Sequence, residues 1–146
     1  MLFLVNIVAC ASVSNKKRTD CISMLNSRAT EVEVAFQGID DKYFAIINDK
    51  FKPANFKGNS KKANEAKAQF YNDFEKEFKA KIFSIKTSPA FYRELSEKIS
   101  KDTSYYPKAC SKPDLIQNNI TSDLASYEKA WIIILPLADH YAKQSK

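Results

Sequence analysis

Only two of the 146 residues are glycine, Gly38 and Gly58. Average usage is about 7%, and the tight primed turns that join β-hairpins depend on glycine. A chain so poor in it cannot make many hairpins, which excludes most all-β architectures. Lys, Ala, Glu, Phe, Ile and Asn dominate instead, and 45% of the residues are hydrophobic, so the chain folds around a core rather than staying disordered. The length suits one domain.

The apolar residues recur at helical spacing. Between Val32 and Phe51 the series Val32, Ala35, Phe36, Ile39, Tyr43, Ile46, Ile47 and Phe51 advances by the threes and fours of an amphipathic helix. Cys21, Met24 and Leu25 precede it, and Thr19 or Asp20 offers the helix an N-cap. Gly38 interrupts the run and is expected to bend or end the helix, with Asp40 restarting it. Lys52–Asn59 reads as a loop punctuated by Pro53 and Gly58, with Asn59 or Ser60 capping the second helix. That helix presents Ala63, Ala66, Phe70, Phe74, Phe78, Ile82 and Ile85 on one face, and Glu75 with Lys79 forms a favourable pair one turn apart. Ser88-Pro89 restarts a helix that buries Phe91, Tyr92, Leu95 and Ile99 and runs to about residue 102. Ser111-Lys112-Pro113 opens a last one carrying Leu115, Ile116, Ile120, Leu124, Tyr127, Trp131, Ile134 and Leu135, which Pro136 kinks or ends. The fold expected is all-α: a bundle of four to five amphipathic helices. A buried strand at Trp131–Leu137, where β-branched residues cluster, is the alternative there.

The front of the chain has a different character. Leu2–Val8 is apolar except for Asn6, and the first charge is Lys16. Seven residues are far too few to cross a bilayer, which takes about 20, but they suit the hydrophobic region of an export signal. Two cleavage patterns overlap behind it. Ala9-Cys10-Ala11 fits a cut before Ser12. Ile7-Val8-Ala9-Cys10 resembles the lipobox of bacterial lipoproteins. That resemblance covers about ten residues and implies that Cys10 is diacylated and becomes the new N-terminus. Ala11, rather than Asp, follows it, which by the family's sorting pattern implies the outer membrane. The departure from a signal is that no Lys or Arg precedes the apolar stretch. A buried N-terminal strand or helix turn is the remaining reading. The organisation expected is a signal peptide over 1–9, a tether over 10–18 and a helical domain over 19–146.

Cysteine counting agrees with export. With Cys10 acylated or removed, Cys21 and Cys110 remain, and an exported protein pairs them. Two buried free thiols are the alternative.

The same residues narrow the functional classes. The net charge of +6 comes almost wholly from lysine, arginine standing only at 18, 28 and 93, and along the sequence it is mixed with Glu and Asp without forming a stripe. Nucleic-acid recognition favours the planar arginine fork, so no nucleic-acid partner is expected; attraction to an anionic membrane needs only lysines near the bilayer. His140 is the single histidine, six residues from the end, so a Ser-His-Asp or Cys-His arrangement has little to draw on. Asp40 and Asp41 are the only adjacent carboxylates; about 100° apart on a helix they do not face one substrate, and they read as a helix-start charge pair. No CxxC, phosphate-binding glycine loop or H-E-x-x-H occurs, so no catalytic residue, metal or cofactor is expected. Phe70, Phe74, Phe78 and Trp131 are either core or the wall of an apolar ligand site. Tyr105-Tyr106-Pro107, just before Cys110, either lids the bundle or forms a recognition surface. The role expected is binding or structural: a lipid-anchored envelope protein, at the outer membrane or the periplasmic face, with an envelope protein as partner. The alternative is a soluble secreted carrier of an apolar ligand.

Overall fold

The computed structural model describes residues 3–144, and the side chains of 15–144 among them. The chain is all-α, with no strand among the described residues, so Trp131–Leu137 is helical rather than a buried strand. The elements are α1 (Phe3–Lys50), α2 (Ser60–Asp73), α3 (Lys79–Phe83), α4 (Ser88–Lys101) and α5 (Pro113–Gln144). A π-helical turn, Phe74–Phe78, joins α2 to α3 without a break. Short 3-10 turns lie at Pro53–Phe56 and Lys108–Ser111.

Two compact units share these elements. The first takes α1 as far as Glu33 together with Ser88–Ile120; the second takes Val34–Thr87 together with the chain from Thr121. Each is built from three helical segments, not from a set of four or five. The first unit buries Leu25, Ala29, Val32, Tyr92, Ile99, Ile116 and Ile120. The second buries Phe36, Tyr43, Ile47, Phe51, Phe70, Phe74, Ile82, Tyr127, Trp131, Ile134 and Ala138.

Several expectations about element ends are corrected. Gly38 does not end α1: it is exposed, a Cβ there would meet nothing within 4 Å, and one glycine costs a long, well-packed helix only about 1 kcal/mol. Thr19 and Asp20 lie inside α1, so neither is an N-cap, and the Thr19 hydroxyl instead donates to the carbonyl of Asn15 four residues back. Residues 15–18 of the expected tether are likewise helical. Pro136 sits within α5, which continues to Gln144. Its lost hydrogen bond falls on the exposed face that it shares with Ile132, where water can serve the orphaned carbonyl. Asn59 does cap α2, its side chain accepting from the Lys62 N–H at 3.0 Å. The preceding loop turns on Lys57 and Gly58, both at positive φ.

The buried positions of α1 are residues 21, 25, 29, 32, 36, 40, 43, 47 and 51 counting its C-terminal neighbour Phe51. They step by threes and fours throughout, which keeps one stripe facing inward over eight steps. Residue 40, not Ile39, holds the stripe position, and Ile39 is half-buried. Along α2, the π turn and α3, Phe70, Phe74 and Ile82 are buried, while Phe78 at the end of the π turn and Ile85 beyond α3 are half-buried. In α4, Ser96 and Ile99 follow Tyr92 into the core. Phe91 is exposed there and Leu95 only half-buried, contrary to the pattern read from sequence.

Candidate functional site

In the first unit the chemistry gathers around the cysteines. Cys21 lies on the buried stripe of α1, and Cys110 is delivered by the 3-10 turn that Pro107 opens. They form a disulfide with Cα atoms 5.5 Å apart, across 89 residues of sequence. Arg18, one turn before Cys21, reaches the end of α4, where its guanidinium donates to the carbonyls of Ile99, Asp102 (3.2 Å) and Thr103. Ile99 lies in the last turn of α4, and the Asp102 carbonyl also accepts from the Tyr105 N–H at 3.2 Å; a cation beside this end complements the helix dipole. Asp102 turns back on its own loop: its carboxylate accepts from the Ser104 N–H at 2.9 Å and hydroxyl at 2.6 Å, and these bonds hold its pKa below the usual carboxylate range. Lower in the unit, Ser96 donates to the Asn26 side chain at 2.9 Å and Arg93 pairs with Glu33.

The clamp leaves an open hollow of about 430 Å³ beside the disulfide, walled by Lys17, Asp20, Met24, Tyr106 and Ser111. A smaller one of about 130 Å³, between Arg18 and Thr103, shares Lys17 and Tyr106. Tyr105 is half-buried with the Lys98 ammonium 4.3 Å from its ring centre, whereas Tyr106 is 44% exposed. Tyr105 therefore packs within the unit, and Tyr106 faces solvent.

The second unit holds a polar knot that apolar spacing alone does not reveal. Asp40 is 5% exposed. One of its oxygens accepts from the Trp131 indole N–H at 3.0 Å and from the Tyr127 hydroxyl; the other takes the Lys86 ammonium. That ammonium also lies 4.9 Å from the Phe83 ring centre, 5.0 Å from Tyr127 and 5.9 Å from Phe36. Burial, and then the bond to Asp40, push the Tyr127 phenol well above its ordinary pKa. Every group of the knot is engaged by another, so the arrangement staples α1, α5 and the segment after α3 within the unit. Asp40 is thus no helix-start charge. Asp41, by contrast, is exposed and accepts from Gln37 at 2.8 Å. The signal for the knot was present: a carboxylate on the apolar stripe midway between Phe36 and Tyr43, with the only Trp and a Tyr four residues apart in another helix.

Phe70, Phe74 and Trp131 are buried against one another, with Phe74 stacked on Trp131 at 5.6 Å and on Phe70 at 6.0 Å; Phe78 is half-buried. His140 is exposed and hydrogen-bonded to Gln144 at 2.8 Å. Glu75 and Lys79 pair at 2.7 Å on the surface. The side chain of Cys10 lies outside the described residues. Among the described residues no helix is long and apolar enough to cross a membrane. Comparison with known proteins gives no match, whether among family models, curated proteins or solved structures.

Proposed function

We propose that this chain is an exported helical protein, anchored in the cell envelope through acyl groups on Cys10, that works by binding rather than by catalysis. The observation that carries the reading is the bond between Cys21 and Cys110. Such bonds persist in oxidising compartments and are rare where thiols are kept reduced. The pairing also leaves Cys10 as the odd cysteine, at the place where Ile7-Val8-Ala9-Cys10 resembles a lipobox. Ala11 after it favours the outer membrane, and the folded residues behind it would meet an envelope partner. A binding role is supported by the exposed Tyr106 and the hollow beside the disulfide, and by a single histidine that is occupied with Gln144. The carrier of an apolar ligand is the weaker reading, because Phe70, Phe74 and Trp131 spend their faces on each other.

Fractionation of the native host tests the anchor. The protein is expected in the membrane fraction, released by detergent and not by salt, and Cys10→Ser is expected to move it to the soluble fraction. A Cys10→Ser protein that stays with the membrane and resists salt contradicts the proposal.

A further inference from the structure

We infer that the disulfide-bearing face of the first unit docks on an anionic lipid surface, beside the acyl anchor; the choice of surface rests on the proposal that Cys10 is acylated. Residues 15–24 and 98–112 hold seven basic side chains and two acidic ones, a net +5 within the segments; Lys101 among them is paired with Glu97 at 3.1 Å, just before the second segment. In sequence they stand about 80 residues apart and look unremarkably mixed. The Cys21–Cys110 bond and the clamp of Arg18 on the end of α4 bring them together.

The charge there is presented outward. Lys16, Lys17, Lys108 and Lys112 are all exposed. The two opposing carboxylates, Asp20 and Asp102, are exposed as well and keep their charge, Asp102 accepting from Ser104, so the basic side chains outnumber them without being cancelled. Tyr106 stands among them, nearly half exposed, and Tyr105 lies under Lys98. Lysines mixed with tyrosine are the composition that settles at the headgroup level of a bilayer, where each lysine adds to the attraction. All four lysines are exposed, so none stands in a buried cradle, which suits a charged surface better than a single phosphate group. The one arginine, Arg18, is spent on backbone carbonyls, which disfavours base or phosphate recognition in nucleic acid. Six residues separate Cys10 from Lys16, a reach of at most about 20 Å, so an acylated Cys10 keeps this face near the headgroups. A hydrophobic anchor reinforced by a basic patch is how stable membrane attachment is commonly built.

Partition of the full-length chain into phosphatidylcholine vesicles with and without phosphatidylglycerol tests this. The anionic lipid is expected to raise partition about ten-fold or more at low salt, and high salt to abolish the rise. Lys17→Glu/Lys108→Glu/Lys112→Glu is expected to lose the rise. Lys61→Glu/Lys62→Glu/Lys76→Glu, the same charge change at exposed sites elsewhere, is expected to keep it. All six side chains are exposed, so circular dichroism should show each variant folded. The inference is overturned if phosphatidylglycerol gives no salt-sensitive rise, if the first variant keeps it, or if both lose it equally. Cys10→Ser separates the two claims. A variant that keeps the anionic preference supports the face whether or not Cys10 is acylated; one that loses the preference, with all lysines in place, overturns it.

Discussion

Asp40 is the residue on which the second unit turns. A buried carboxylate is tolerable only when its charge is balanced and its lone pairs are used, and Lys86, Tyr127 and Trp131 do both. Asp40→Ala should therefore lower stability by about 3 kcal/mol in urea denaturation, since it orphans an indole N–H, a phenol and an ammonium together. Lys86→Met should cost at least as much, because it leaves the Asp40 carboxylate buried without its counter-charge, whereas the lysine head left by Asp40→Ala is 24% exposed and can be hydrated. A much smaller loss from Lys86→Met would show that the aspartate does not depend on the lysine for its charge balance. Tyr127 adds a pH dependence. Its pKa is raised in the folded state above the ordinary 10.0, by burial first and by Asp40 second. The folded state thus holds the proton more tightly, so the contribution is complete below pH 10 and is lost as pH rises toward the folded value. Above pH 10, Tyr127→Phe should make stability fall less steeply, by up to about 1.4 kcal/mol per pH unit. An unchanged slope would mean that Tyr127 is not shielded.

At the scale of elements, periodicity was legible and phase was not. The stripe of α1 could be read because apolar residues mark its threes and fours, yet Ile39 stood in for Asp40 because an apolar pattern does not count a carboxylate as core. Gly38 and Pro136 look like helix breakers in sequence, and both lie inside helices because each sits on an exposed face where the penalty is small against the packing of the opposite side. The π turn at Phe74–Phe78 left no signal that apolar spacing reveals, and Phe78 at its end is half-buried. The two glycines make opposite predictions. Gly38→Ala should raise stability by about 0.5–1 kcal/mol, since the helix is unstrained and the added methyl meets nothing. Gly58→Ala should lower it by about 1 kcal/mol, because φ there is +78°. Thermal melts of the two variants check both signs. The disulfide ties α1 to the turn before α5 across 89 residues, so its reduction should cost up to about 4–5 kcal/mol in the chain-entropy account. A melt indifferent to reductant would remove that constraint from the description.

For the whole molecule, the all-α class was legible in glycine scarcity and helical stripes, and the cysteine pairing in a count of three thiols with one expected to be acylated. What the sequence hid was proximity. Lys16 and Lys17 are separated from Lys108 and Lys112 by some 90 residues, and the Cys21–Cys110 bond with the Arg18 clamp brings their two segments together. The knot was hidden for the same reason, its four members being scattered from residue 40 to residue 131. The central claim is that this is an exported, acylated chain with its other two cysteines joined. Intact mass of the protein from its native host, taken without reductant, tests it most directly. The account predicts residues 10–146 plus acyl groups and less two hydrogens. An uncleaved chain with three free thiols would contradict it.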